Sequence, residues 1–142
     1  MFEKILLAVD GSEHGQHAAR TAGDLARAVK ASDLRIVVAF EPIPAYLGEP
    51  NFSEAIAHRT MEAQEILEQA QNVIGNVPAD INTEVIEGSI AEAIIDVAKV
   101  RKSDLIVMGS RGRGRLAGAM LGSNSQKVAV TRITPCLLCG SS

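Results

Sequence analysis

Two short segments carry residue types that could do chemistry together. Asp10-Gly11-Ser12 closes one apolar run, and Gly109-Ser110-Arg111-Gly112-Arg113-Gly114-Arg115 closes another. The stretch from Gly109 to Gly122 holds five glycines (109, 112, 114, 118 and 122) and three arginines, then meets Ser123-Asn124-Ser125-Gln126, a pattern that opens a helix. Glycines let main-chain amides approach a phosphate closely, and a helix amino terminus adds free N–H groups and the positive end of the dipole. A polyphosphate suits this set: Ser123 and Ser125 could donate hydroxyl hydrogen bonds, and Arg111 or Arg113 could add a charge-assisted contact. Composition and spacing leave a blander reading open, in which the loop is merely flexible, the arginines are solvated and Ser123 only caps its helix.

Known fingerprints narrow the choice. The pattern G-x-x-x-x-G-K-[ST] is absent, because Ser123 rather than a lysine follows Gly122. The dinucleotide pattern G-x-G-x-x-G fails at Ala117, and the loop follows the fourth apolar run rather than the first, so NAD is not expected. Cys136 and Cys139 form a single C-x-x-C inside a strand-like segment, where positions three apart face opposite sides; buried or edge cysteines are expected, not a redox pair or a zinc site. His14 and His17 open the first helix with no completing ligand nearby, and His58 stands alone on the second, so neither a metal set nor a hydrolase triad is expected.

The elements that must position these segments follow from hydrophobic periodicity. Continuous apolar runs at Ile5–Val9, Ile36–Phe40 and Leu105–Met108 predict strands buried on both faces, Ile81–Ile86 alternates as an edge strand does, and Cys136–Cys139 is a fifth candidate. Ala18, Ala22, Leu25, Ala26 and Val29 mark one face of a helix from about Glu13 to Ala31, with Ser12 placed to cap it. Ala63, Ile66, Leu67, Ala70, Val73 and Ile74 make a core-facing stripe on a helix from about Ser53 to Ile74. Ser89-Ile90-Ala91-Glu92 predicts a capping box at the start of a third helix carrying Ile94, Ile95 and Ala98, and a fourth helix runs from Ser123 to before Pro135. Glu41–Asn51, with three prolines and the only tyrosine, reads as a long connector or as a flap over a ligand.

Strands alternating with helices predict an α/β fold, a doubly wound parallel sheet with helices on both faces. In such sheets ligands bind outside the carboxyl ends of the strands where the strand order reverses, between strands 1 and 4 for the order 3-2-1-4-5. Asp10 and the Gly-rich loop would converge there. The 142 residues fit one domain with a core that needs neither disulfide nor metal. A net charge of −3 and few aromatic side chains disfavour nucleic acid as a partner. No signal peptide or membrane-length apolar run is visible, so a cytoplasmic protein is expected.

The motif residues resemble the universal stress protein A superfamily, whose nucleotide-binding members carry G-x-x-G, nine residues, then G-[ST]. Here Gly109-Ser110-Arg111-Gly112, the nine residues Arg113 to Leu121, and Gly122-Ser123 match in full. Ile5-Leu6-Leu7-Ala8-Val9-Asp10-Gly11-Ser12, Asp104 to Gly109 and Thr134-Pro135-Cys136-Leu137-Leu138 are similar as well, so the resemblance spans the chain. It implies a five-stranded Rossmann-like sheet of order 3-2-1-4-5, of the adenine nucleotide alpha hydrolase-like type, an ATP site at the switch point, and a homodimer through the carboxy-terminal strand. By the same resemblance Ala8, Val9 and Ala39 line the adenine pocket, and Met108 lies near the base or ribose. Asp10 meets the ribose or the metal, Gly109, Arg111 and Gly112 hold the inner phosphates, and Gly122, Ser123, Asn124 and Ser125 hold the outer ones. Mg²⁺ is expected to accompany the triphosphate, with Asp10 the nearest carboxylate. The expected function is a nucleotide-dependent regulatory or stress-response module. The alternatives are a slow ATPase using Asp10 and Arg111, or a dimeric interaction protein without nucleotide.

Overall fold

The computed structural model describes residues 2–11, 13–109 and 136–139. Along the chain these form β1 (Lys4–Val9), α1 (Glu13–Val29), β2 (Asp33–Phe40), a 3-10 turn (Ala45–Leu47), α2 (Asn51–Ile74), β3 (Asp80–Glu87), α3 (Ile90–Arg101), β4 (Leu105–Gly109) and β5 (Cys136–Cys139). The fourth helix expected after Ser123 and the cap expected from Ser12 lie outside the described residues.

All the strand pairs are parallel. β1 lies between β2 and β4, β3 flanks β2, and the short β5 runs beside β4, pairing Ile106 with Cys136 through Gly109 with Cys139. The central strands carry continuous apolar runs, Ile5–Val9, Ile36–Phe40 and Leu105–Met108, because both of their faces are covered. Leu7, Leu34, Ile36 and Val38 pack with Ala18, Ala22 and Ala26 of α1 and with Ile66 and Ala70 of α2 on one face. Leu6, Ala8, Val37, Ile106 and Met108 pack with Ala91, Ile94 and Ala98 of α3 on the other. The alanine face of α1 lets helix backbones come close: a Cβ on Gly23 would meet the Ile74 carbonyl oxygen of α2 at 3.2 Å.

Each of these helices is ended by local chemistry. Both α1 and α3 stop at a left-handed lysine, Lys30 (φ 55°) and Lys102 (φ 56°), and the next residues fold back, Ala31 N–H donating to the Ala26 carbonyl and Ser103 N–H to that of Ala98. The chain is thereby returned to the amino edge of the sheet, where the Asp104 carboxylate accepts the main-chain N–H groups of Glu3 and Lys4, each at 2.9 Å.

Three expectations are corrected. β2 begins at Asp33 rather than Ile36, because Leu34 is fully buried while Asp33 and Arg35 serve the sheet's other face and edge. Helix α2 begins at Asn51 rather than Ser53, its exposed first turn held by the Glu49 carboxylate, which accepts the Ser53 N–H at 2.8 Å and the Ser53 hydroxyl. These two bonds favour the ionised form and hold Glu49 below the usual carboxylate range. The capping box at α3 is absent: Ser89 does occupy the N-cap, but with φ −62° and ψ 121° its side chain makes no capping bond. Its carbonyl accepts the Ala93 N–H at 2.8 Å, the first bond of the helix. Among the described residues no helix is long and apolar enough to cross a membrane.

Candidate functional site at the carboxyl ends of the central strands

β1 and β4 are hydrogen-bonded neighbours, yet their connections leave in opposite directions across the sheet. The chain after β1 leads through α1 toward β2, whereas β4 is followed by the Gly-rich segment and then β5. Such a reversal is where open parallel sheets form a crevice, because the connections after the two strands run to opposite sides.

Strand register fixes which residues meet there. Ala8 lies opposite Met108, and Val9 opposite Val38. Extending that register by one step sets Asp10 level with Ala39 on one side and puts Gly109 beside Val9 on the other. The structure therefore brings Ala8, Val9, Asp10, Ala39, Met108 and Gly109, chosen from distant parts of the sequence, to one line at the carboxyl edge of the sheet. Ala8 and Met108 are buried, with their side chains in the α3-side core, and Val9 is buried in the core of the other face. These three make a rigid floor whose main chain, rather than side chains, borders the crevice. Asp10 and Ala39 are half-buried and stand at its rim. The residues expected at the phosphates, Arg111, Gly112, Gly122, Ser123, Asn124 and Ser125, lie outside the described residues.

Asp10 is followed by Gly11 at φ 84°, a backbone conformation that a side chain would strain. Glycine here lets the chain turn as it leaves β1 toward α1. Among the described residues no three His, Cys, Asp or Glu side chains gather as a metal set. A single carboxylate is nonetheless a fitting donor for Mg²⁺, which keeps several waters and takes its remaining oxygens from substrate phosphates.

One contributor was invisible in the sequence. Arg59, on α2, places its guanidinium 4.8 Å from the centroid of the Phe40 ring and donates to the Glu41 carbonyl oxygen. It thereby pins the chain as it leaves β2 next to Ala39. Nothing local signals this, because the partners lie far apart in sequence and meet only when α2 packs on the sheet. The segment from Glu41 to Pro50 is thus held at both ends, by Arg59 and by the Glu49–Ser53 bonds, while Tyr46 in its middle is 87% exposed.

Comparison with known proteins agrees with this architecture. The model of the universal stress protein family matches residues 1–139. A universal stress protein from Thermus aquaticus, encoded in the 3′ region of a QAH/OAS sulfhydrylase, is 45% identical over 138 residues, covering 97% of this chain and 98% of its own. Two solved structures share the fold: a universal stress protein in complex with cAMP (TM-score 0.71, 24% identity, 99% of each chain), and the Archaeoglobus fulgidus universal stress protein in complex with dAMP (TM-score 0.67, 18% identity, 97% of this chain and 98% of that one). With its strand order, its switch-point crevice and a family match over nearly its whole length, the chain belongs to the universal stress protein family.

Proposed function

We propose that this chain binds ATP with Mg²⁺ in the crevice between β1 and β4 and serves as a nucleotide-dependent regulatory or stress-response module. The observation that carries this reading is the convergence of the Asp10-Gly11 turn with the end of β4, from which the Gly109–Gly122 segment departs. Two relatives of the same fold hold adenine nucleotides, cAMP and dAMP, which supports an adenine nucleotide as the ligand class. In this reading the main chain of Ala8, Val9 and Ala39 edges the adenine, and Met108 underlies the base and ribose. Asp10 reaches the ribose or the ion. Gly109, Arg111 and Gly112 hold the inner phosphates, and Gly122, Ser123, Asn124 and Ser125 the outer ones, by amide and hydroxyl donation. The bound ion would offset phosphate charge that the loop arginines balance only in part. A homodimer through Cys136–Cys139 and a cytoplasmic setting complete the proposal.

The test is to incubate the pure protein with Mg-ATP, remove free ligand, denature, and quantify released ATP and ADP per chain over time. Stoichiometric, persistent ATP is expected. Absence of nucleotide overturns the proposal, and steadily growing ADP replaces it with the ATPase reading. Gly122→Val, and Ser123→Ala combined with Ser125→Ala, should each reduce the ATP retained at least tenfold while the fold is kept.

A further inference from the structure

We propose that the outer edge of β3, together with the groove between β3 and α2, is a docking site for an extended cationic segment of a partner protein, with apolar side chains at alternate positions. Three independent features of this flank converge on that occupant.

The first is main-chain geometry. β3 is the outermost strand on its side of the sheet and pairs with β2 over all eight of its residues, from Asp80 to Glu87. Asp80 N–H donates to the Ser32 carbonyl and Gly88 N–H to that of Phe40, so the even-numbered residues turn their main chain inward. By the alternation of a parallel ladder, Ile81, Thr83, Val85 and Glu87 turn their N–H and C=O groups outward. Edges of this length are usually guarded by charged side chains, proline or a bulge; β3 contains neither lysine nor proline, and its charged residues are the acids Asp80, Glu84 and Glu87, which leave it open to a cationic strand. An added strand would satisfy these groups, which is how many extended peptides are recognised.

The second is the groove beside that edge. It has a volume of about 180 Å³ and is lined by the apolar Ile43, Ile56, Ala63 and Val85 and by polar residues that include Arg59 and Glu87. Small-molecule sites usually run to about 300–1,000 Å³, so this one suits single side chains better than a whole ligand. Ile56 and Val85 are 43% and 48% exposed, respectively. Because Val85 and Glu87 belong to the same outward-facing set, alternate side chains of an added strand would descend into the groove. Main chain and side chain are thus recognised in one register.

The third is charge. Residues 41–98 contain eleven carboxylates and a single basic residue, Arg59, whereas the rest of the chain carries thirteen lysines and arginines against six carboxylates. Arg59 is occupied by Phe40 and the Glu41 carbonyl. The two elements that form the flank, α2 and β3, carry seven of these eleven carboxylates against Arg59, with Arg35 and Arg101 meeting Glu84, so the field around the slot is acidic. It selects a cationic segment, repels a nucleic-acid backbone, and repels the same flank of a second copy, which would set Asp80 and Glu87 against their own kind.

The test uses the full chain and a capped nine-residue peptide of alternating lysine and isoleucine, with a glutamate-for-lysine peptide as control, followed by amide hydrogen exchange resolved residue by residue. Expected are saturable binding of the lysine peptide alone, weakened several-fold by 0.5 M NaCl, and new protection at the amides of Ile81, Thr83, Val85 and Glu87 but not at their even-numbered neighbours. Val85→Pro removes an outward N–H without breaking a bond to β2, and should weaken the peptide at least tenfold. Should Val85→Pro fail to fold, Glu87→Lys decides, with a several-fold weakening expected. No saturable binding, binding indifferent to the decisive variant, or protection elsewhere overturns the proposal. Protection of β3 that rises with protein concentration in the absence of peptide also overturns it, and assigns the edge to a second copy.

Discussion

The crevice at the ends of β1 and β4 and the flank formed by β3 and α2 are both openings in the same sheet, built on opposite principles. The crevice rests on strands buried on both faces: Leu6, Leu7, Val107 and Met108 have no measurable exposure, and Ala8 has 4%. Its geometry is imposed by topology and held by a core that cannot shift without losing contacts. The flank is a one-sided structure, in which β3 has only exposed and half-buried residues and the first half of α2, Asn51 to Glu62, contributes no buried residue at all. Rigidity belongs to the first opening and surface chemistry to the second. A site that positions a small ligand needs the former, whereas a surface that receives a chain needs accessible edge groups.

Core truncation should separate the two regions most sharply. Leu7→Ala, in the fully buried centre of β1, is expected to cost about 2–5 kcal/mol in urea unfolding, whereas Val85→Ala on the half-open edge should stay within about 0.5 kcal/mol. Equal losses would show that the edge strand is as well packed as the centre and would dissolve the contrast.

A smaller effect is expected where the flank has a buried charge of its own. Arg35 on β2 reaches Glu84 on β3 at 3.1 Å, with side-chain exposures of 15% and 28%, and Arg101 approaches the same carboxylate oxygen at 3.7 Å. Arg35 Nε is buried and has no hydrogen-bond partner. Glu84→Ala would leave the Arg35 guanidinium without its carboxylate, at a cost of about 1–3 kcal/mol in the same unfolding measurement. An unchanged midpoint would mean that this cluster contributes nothing to joining β3 to the sheet.

Gly23→Ala probes the contact between the two helices on one face. Alanine is better than glycine in a helix by about 1 kcal/mol, but its Cβ would press on the Ile74 main chain, with the oxygen at 3.2 Å and Cα at 3.3 Å. Arg27 Nη1 donates to that oxygen at 3.0 Å and resists its withdrawal. A net loss of about 1 kcal/mol is expected from these opposing terms, and a gain in the unfolding midpoint would show that the end of α2 yields.

The smallest effect concerns pH at the exposed start of α2. Because Glu49 is held below its ordinary value, its contribution is fully present above about pH 4.3 and is lost as pH falls through the lowered value. In a residue-resolved NMR titration the Glu49 carboxyl and the Ser53 amide should move together, and Ser53→Ala should return the carboxyl toward the ordinary range. Independent titration of the two groups would break the assignment of this turn.

Much of the fold was legible because periodicity is local. The apolar runs at Ile5–Val9 and Leu105–Met108, the stripe from Ala63 to Ile74 and the alternation of Ile81–Ile86 each depend on neighbours two to four residues away, and each lies within the element expected. The misreadings share a cause as well. Ser89 and Glu92 have the spacing of a capping box, yet the side-chain bond is not made. The start of α2 is held by Glu49, which lies outside the helix and outside any pattern the helix shows. The strand expected from Ile36 begins earlier, at Asp33, because the partner of Arg35, Glu84, comes from a later strand.

By itself the sequence determined the kinds of elements, their alternation and therefore a parallel sheet, and the placing of an acid and a Gly-rich basic segment after the first and fourth strands. It also determined the charge division between residues 41–98 and the rest. Only the tertiary structure decided that Ala8 faces Met108 and that Arg59 lies over Phe40. It alone decided that the odd-numbered residues of β3 turn their main chain outward beside an apolar groove. The reason is one of range. A residue's neighbours along the chain set its local conformation, but lateral register and the direction of an edge are set by side chains packing across gaps of tens of residues, where composition holds no record of the partner.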